Sequence, residues 1–167
     1  SVGKTTLVNA LKELEQFKGY KFATERSQHL MSLGIPLNTD STLKGQTVFL
    51  AERCGELMYN NIITDRTILD VMAFTMNAKS IPYQDKEAFE TYASEFIREY
   101  DYIFYISPHG LEIEDNGVRE TDEHYRDLID FTITTLIKRH GHKAGAIEKI
   151  SGSTEERIQQ ILNVTKL

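Results

Sequence analysis

A single cysteine, Cys54, stands in 167 residues. No internal disulfide can form, and a reducing compartment is expected. No apolar run is long enough to span a bilayer. Residues 1–20 carry charges throughout and have no clean apolar centre, so no secretory signal is expected. Positive charge is in deficit: 19 Lys and Arg face 25 Asp and Glu, for a net charge of −6 and a pI of about 5.4. Surfaces that grip a nucleic-acid backbone are usually basic, so a broad phosphate footprint is excluded. A local pocket for one small phosphorylated ligand is not excluded, because a few arginines suffice for that. Repeats and low-complexity segments are also lacking. What remains is ordinary globular composition, 40% hydrophobic and 26% charged, in a length that suits one domain with a real core. Cys54 reads as a small, half-buried helix residue.

Helical and strand-like stretches alternate, the pattern of an α/β domain with a mainly parallel sheet. Lys4 to Phe17 reads as a helix with Leu7, Leu11 and Leu14 on one face. A short strand, Tyr20 to Thr24, ends in Glu25-Arg26. Residues 27–33 read as helix, stopped by Gly34 and Pro36, and residues 34–46 as a polar loop. Thr47 to Tyr59 has helical spacing. Asn60 to Thr64 is a second strand, followed by Asp65-Arg66 and a helix from Ile68 to Ala78. Asp85 to Tyr100 is amphipathic, with Phe89, Tyr92, Ala93, Phe96, Ile97 and Tyr100 at three-four spacing. Asp101 to Ser107 suits a strand buried on both faces. After a polar stretch at 109–121 come a helix from Glu123 to His140, a strand from Ala146 to Ile150, and a last helix opened by Ser153 with Glu156 as its capping box.

The chemistry-bearing motif is Gly3-Lys4-Thr5-Thr6, the second half of the phosphate-binding pattern G-x-x-x-x-G-K-[ST]. Glycine lets the backbone approach phosphate oxygens, and the helix start offers amides and a favourable dipole to the anion. The lysine supplies a point charge to the β- and γ-phosphates, and the threonine hydroxyl binds magnesium. The first glycine of the pattern and the strand before it would lie upstream of Ser1. The expectation is therefore a chain that begins inside its phosphate loop, with a central strand missing from the sheet.

In open α/β sheets, ligands sit beyond the carboxyl ends of the strands. Asp65 and Arg66 follow one such strand, and Glu25 and Arg26 another. A strand-end aspartate beside a GKT helix is the expected magnesium partner. Its bland alternative is a cap on the helix from Ile68. Arg119 and Arg126 flank a segment suited to closing over a triphosphate and stabilising charge during transfer. His124 and Tyr125 show no role beyond packing or surface. Lys138, Arg139, His140, His142 and Lys143 read as a solvated helix end.

These pieces recur in the same order in small P-loop kinases. Beyond the motif, they include Thr24-Glu25-Arg26, Gly34-Ile35-Pro36-Leu37-Asn38, Thr64-Asp65-Arg66 with Asp70, Asp115-Asn116-Gly117-Val118-Arg119 with Arg126, and Ile150-Ser151-Gly152-Ser153. Over nearly its whole length the chain resembles the nicotinamide-riboside-kinase-like proteins, phage-encoded members included, which are related in shape to thymidylate kinases. The resemblance implies a P-loop kinase-like three-layer sandwich in a single domain, residues 1–167, with a lid at about 109–126. It implies that ATP and Mg2+ are used. Gly3, Lys4, Thr5 and Thr6 would hold phosphates, and Thr5 and Asp65 the metal. Asp65 would activate the acceptor or order the magnesium. Glu25, Arg26, Asn38 and Arg66 would hold the acceptor, with Gln46 in the same loop. Arg119 and Arg126 would be lid arginines, and Gly152, Ser153 and Thr154 would border the adenine. Asn116 departs from the pattern, where a second acid often precedes the glycine.

The leading expectation is phosphoryl transfer from Mg-ATP to a small nucleoside or nucleotide acceptor. Two arginines, Arg26 and Arg66, favour an acceptor that already carries a phosphate, hence a nucleoside monophosphate. The location expected is cytoplasmic, in the host if the gene is phage-borne. Neither nucleic acid nor membrane is an expected partner, and a homodimer is left open. The competing readings are a regulatory NTPase with no small acceptor and a binding module without turnover.

Overall fold

The computed structural model describes residues 3–24, 27–108 and 122–167. The elements, in order, are α1 (Lys4–Lys12), β1 (Lys21–Ala23), α2 (Ser27–Ser32), α3 (Leu43–Glu56), β2 (Ile62–Thr64), α4 (Ile68–Met76), α5 (Tyr83–Ser94), β3 (Tyr102–Tyr105), α6 (Glu123–His140), β4 (Ala146–Lys149) and α7 (Thr154–Thr165). All described pairings are parallel. β1 runs beside β2 with Phe22 opposite Ile63, and β3 beside β4 with Ile103 opposite Ile147. Each strand reaches its parallel neighbour through helical crossovers, as parallel pairing requires.

Strand residues of alternate parity serve opposite helical layers. Ile103 and Ile147 join a core built from Leu50 of α3, Ile68, Leu69 and Met72 of α4, Phe89 and Ala93 of α5, and Leu136 of α6. Phe104, Phe22 and Ile63 join a second core built from Leu7 and Leu11 of α1, Phe17, Ile150 and Ile161 of α7. Helices therefore cover both faces of the strands, giving the three-layer α/β arrangement of P-loop kinases. Between the pairs, β2 and β3 line opposite walls of one long cavity. Gly145 must pass the strand opening β3 closely: a Cβ there would lie 2.4 Å from the Asp101 carbonyl oxygen. Glycine permits the two ladder bonds to Tyr100 and Asp101 that start the β3–β4 pair, each 2.9 Å.

Several boundaries differ from the sequence reading. The first helix ends at Lys12, and Glu15–Phe17 forms a separate 3-10 turn that still buries Phe17. α3 starts four residues early because the Thr42 side chain accepts from the Gly45 amide, capping a helix inside the supposed loop. Asn38–Asp40 is a 3-10 turn within the same loop. α5 begins at Tyr83 and gives way to a 3-10 turn, Glu95–Glu99. The buried stripe is narrower than the spacing suggested: Phe89, Ala93, Ile97 and Tyr100 are buried, whereas Tyr92 is exposed, edge-on to Phe96. β3 is buried less evenly than expected, since Tyr102 at its start is exposed.

The basic end of α6 is not simply solvated, which corrects the sequence reading. Arg139 Nη1 donates to Glu90 Oε1 at 2.5 Å, and His140 Nε2 lies 2.8 Å from the same oxygen. Lys143 donates to Ser94 Oγ and to Glu95. The cations cross to α5 because Glu90 is buried at 8% exposure and needs partners. Burial alone would raise the Glu90 carboxyl. The hydrogen bonds and charges of His140 and Arg139 outweigh it and hold the pKa below the usual carboxylate value.

A carboxyl depressed in the folded state contributes stability that is present above its unfolded pKa, about 4.3, and is lost as pH falls through the folded value. Glu90→Gln should therefore cost about 1–2 kcal/mol near pH 6, roughly 3–6 °C in Tm. The gap from wild type should close as pH falls below about 4 in melts followed by circular dichroism. A gap of constant size down to pH 2.5 would show that the carboxylate charge is not the source.

Candidate active site

α1 opens at Gly3, whose backbone is left-handed at φ 73° and ψ 20°. Glycine is the residue that takes this conformation without strain. Gly3 has no side chain to cap the start of α1, and no acid stands in its first turn. That end of the helix suits an anion. A Cβ on Gly3 would meet the Arg157 guanidinium, whose Nη1 lies 3.3 Å away. Lys4 and Thr5 follow and line the cavity, while Thr6 is exposed and turned away from it.

Asp65 is placed by the sheet. Its amide donates to the Ala23 carbonyl at 3.1 Å, extending the β1–β2 ladder one residue past β2. The carboxylate faces α1, and Thr5 Oγ1 donates to Asp65 Oδ2 at 3.0 Å. The side chain is buried at 5% exposure, and Oδ1 has no hydrogen-bond partner among the described residues. A buried oxygen left in this state is costly unless something else binds it. Two oxygens of hard character, one hydroxyl and one carboxylate, converge where the lysine would hold phosphates. That donor set fits a magnesium ion, which takes one or two protein oxygens and keeps phosphate and water for the rest.

Asp65 does not cap the following helix, so the bland reading of it fails. The cap is Thr67, whose hydroxyl accepts from Leu69, while the Asp70 carboxylate accepts from the Thr67 amide at 2.8 Å. The buried Tyr100 hydroxyl accepts from the Ile68 amide at 3.2 Å. Burial drives the Tyr100 phenol well above its usual pKa, so it stays neutral. Arg66, between Asp65 and this cap, lays its guanidinium over the Phe74 ring at 5.4 Å. Its Nε has no hydrogen-bond partner among the described residues. The ring orients the guanidinium by its face and leaves the donor edge for an anion.

The cavity, about 520 Å³, runs from these residues at the carboxyl ends of the strands to Asn61 and Asp101 at their amino ends. Only its upper part adjoins the phosphate motif. Asn38 and Arg126 also line it, the first in a positive-φ turn at 56° and the second in the opening turn of α6. Gln46 instead is buried on α3 and does not line the cavity. Gly152, Ser153 and Thr154 stand at the start of α7, with Gly152 at φ 93° and Ser153 capped by Glu156 as the sequence indicated. They lie outside the cavity wall. Glu25, Arg26, Arg119 and the segment 109–121 lie outside the described residues.

The sequence reading missed four residues here. Tyr125, taken as packing or surface, is buried and lines the cavity. Tyr105 donates to Asp130 Oδ1, and both line the wall. Burial, helped by the Asp130 carboxylate, pushes the Tyr105 phenol up to about 12. Asp130 sits five residues after Tyr125 in a helix whose polar face reads as solvated. Arg157 follows two first-turn glutamates, Glu155 and the capping Glu156, which mask it in the same way. In both helices the available signal was position: Asp130 lies a turn from the partly buried Ile133, and Arg157 a turn from the buried Ile161.

A family model described as AAA domain matches residues 1–157. No curated protein matches the sequence. Among solved structures, the chain is similar to a deoxyadenosine kinase from M. mycoides, solved with its products dCMP and a flexible dCDP bound. The TM-score is 0.64 at 17% identity, over 99% of this chain and 94% of that one. The shared fold is that of a P-loop kinase, and by the family match the chain belongs to the AAA domain family.

Proposed function

We propose that the protein is a kinase that uses ATP and Mg2+ to phosphorylate a nucleoside or, by preference, a nucleoside monophosphate. The observation that carries this reading is the Thr5–Asp65 pair, 3.0 Å apart beside Lys4 at the opening of α1. Thr5 and the Asp65 oxygen that has no partner among the described residues would hold magnesium, which would supply charge neutralisation for the triphosphate. Lys4 and the amides at the start of α1 would bind the triphosphate. Catalysis would rest on positioning and on charge stabilisation rather than on covalent chemistry.

The acceptor would lie along the wall formed by Asn38, Arg66 and Arg126, and Glu25 and Arg26 are proposed as further acceptor contacts. Arg66, held on Phe74, offers donors to an anionic acceptor. That favours a monophosphate over a neutral nucleoside. The structurally similar deoxyadenosine kinase carries dCMP and dCDP as products, in keeping with a nucleoside or nucleotide acceptor. Arg119, with Arg126, would close over the transferring phosphoryl group. Gly152, Ser153 and Thr154 would border the adenine. Within this class the reading stays closest to nicotinamide-riboside-kinase-like members. A cytoplasmic location and a small-molecule partner, with no nucleic acid, go with it.

The test is ADP release from Mg-ATP across a panel of nucleosides and nucleoside monophosphates. ADP release should depend on one acceptor class, and Lys4→Ala should reduce it at least a hundredfold with the fold retained. ATP consumption unchanged across the panel would sink the kinase reading in favour of a regulatory NTPase. With the acceptor in hand, Arg66→Ala should raise its KM about tenfold or more and the ATP KM less than twofold, the size expected for one lost charged contact. Equal rises in both KM values would remove Arg66 from the acceptor side.

A further inference from the structure

We propose that Tyr105 is a positioning residue that, through Asp130, sets the rotation of α6 and so the place of Arg126 on the cavity wall. This role rests on the reading of Arg126 as a group that closes over the transferring phosphoryl group. It brings in a residue of the sheet that none of the motifs contains.

Tyr105 is the last residue of β3. The sheet fixes its backbone: it stands opposite Lys149 of β4, and its carbonyl accepts from the Ile150 amide at 3.0 Å. The phenol is held from two sides. The Ser107 side chain hydrogen-bonds to it, and its own proton goes to Asp130 Oδ1 at 2.5 Å. Burial is the main reason that its pKa is pushed up to about 12, so the donor is present at neutral pH. A hydrogen bond to a carboxylate is roughly twice as strong as a neutral one.

Asp130 lies four residues beyond Arg126 on α6. Four residues advance a helix by about 6 Å and turn it about 40° past a full revolution, so the two side chains leave it on nearly the same side. Both line the cavity, with Tyr125, Ile129 and Ile133 of the same face. Fastenings of the second half of α6 are the Asn77 amide on Thr132 Oγ1 at 2.9 Å, Leu136 in the core, and Arg139 and His140 on Glu90. On the first half, Ile129 packs against the core, but apolar contacts are non-directional. The phenol–carboxylate bond is directional. It ties the turn beside Arg126 to a strand end that cannot shift without breaking the β3–β4 ladder. A small rotation of α6 would swing the long Arg126 side chain off the wall. A misplacement of about 1 Å in a group that meets the transition state costs up to about a hundredfold in rate.

Tyr105→Phe removes the phenol proton and keeps the ring. Asp130→Ala removes the carboxylate, and Asp130→Asn keeps an oxygen that can take the phenol proton. The assay is steady-state ADP release from Mg-ATP with the substrate that the acceptor panel identifies. Tyr105→Phe and Asp130→Ala should each lower kcat about tenfold, the size of one lost hydrogen bond to a charged group, with the ATP KM within twofold of wild type. Asp130→Asn should recover at least half of that loss on a logarithmic scale. Because Tyr105 acts through Arg126, Tyr105→Phe should cost less than twofold in an Arg126→Ala background. An undiminished kcat in Tyr105→Phe, the same tenfold fall in the Arg126→Ala background, an Asp130→Asn variant no better than Asp130→Ala, or an ATP KM that rises in step would each overturn the proposal. If Arg126→Ala is too slow to measure, Arg126→Lys serves as the background. If Tyr105→Phe does not fold, Asp130→Ala takes its place in the cycle. A wild type that turns over no acceptor sinks the kinase reading and this role with it, whereas wild-type turnover with any of the contrary results sinks this role alone.

Discussion

The hydrogen bond from the Thr5 hydroxyl to the Asp65 carboxylate joins the two parts of the chain on which everything else depends. One partner belongs to the first turn of α1, the other to the residue just past β2. They meet only if α1 packs over the strands and β2 runs parallel to β1 with its carboxyl end toward that helix. The two cores secure this. Leu7, Leu11, Phe17, Ile150 and Ile161 hold α1 and α7 on one face, and the α3–α6 cluster holds the other. The polar pair then sits at the rim with one carboxylate oxygen buried and unsatisfied by described groups. Packing supplies the geometry, and the unsatisfied oxygen is the donor that the proposed magnesium site would use.

A second layer of polar contacts keeps the strand-end residues free for ligand. Thr67 and Asp70 cap α4 by themselves, and the Tyr100 hydroxyl takes the Ile68 amide. Asp65 and Arg66 are therefore not consumed by the helix that follows them. Arg66 is held by the face of Phe74 instead of by an acid, which leaves its charge available. On the far side, the fastening of α6 to α5 through Glu90 steadies the helix that carries Arg126, Tyr125 and Asp130 toward the cavity.

Most of the fold was legible because its signals are local. The periodic apolar positions of α4 and α6, the β-rich run before Pro108, and the Ser153–Glu156 capping box each specify an element without tertiary information. Departures came where tertiary packing or short-range hydrogen bonding overrode the pattern. Thr42 starts α3 early, and α5 gives way to a 3-10 turn at Glu95–Glu99. The site was legible to the extent that it follows a motif: Lys4, Thr5, Asp65, Asn38, Arg66 and Arg126 converge on one cavity. Arg157, Tyr105, Asp130 and Tyr125 were not, because each acquires its place from helix packing. A buried arginine after two first-turn glutamates looks the same in sequence as a solvated one.

The central claim is that Thr5 and Asp65 form a magnesium-dependent nucleotide site, and titration of ATP with and without Mg2+ tests it most directly. Magnesium should strengthen ATP binding at least tenfold in the wild-type protein, and Asp65→Asn should remove most of that dependence while leaving the unfolding midpoint nearly unchanged. ATP affinity that is the same with and without magnesium, or a full magnesium effect retained in Asp65→Asn, would contradict it.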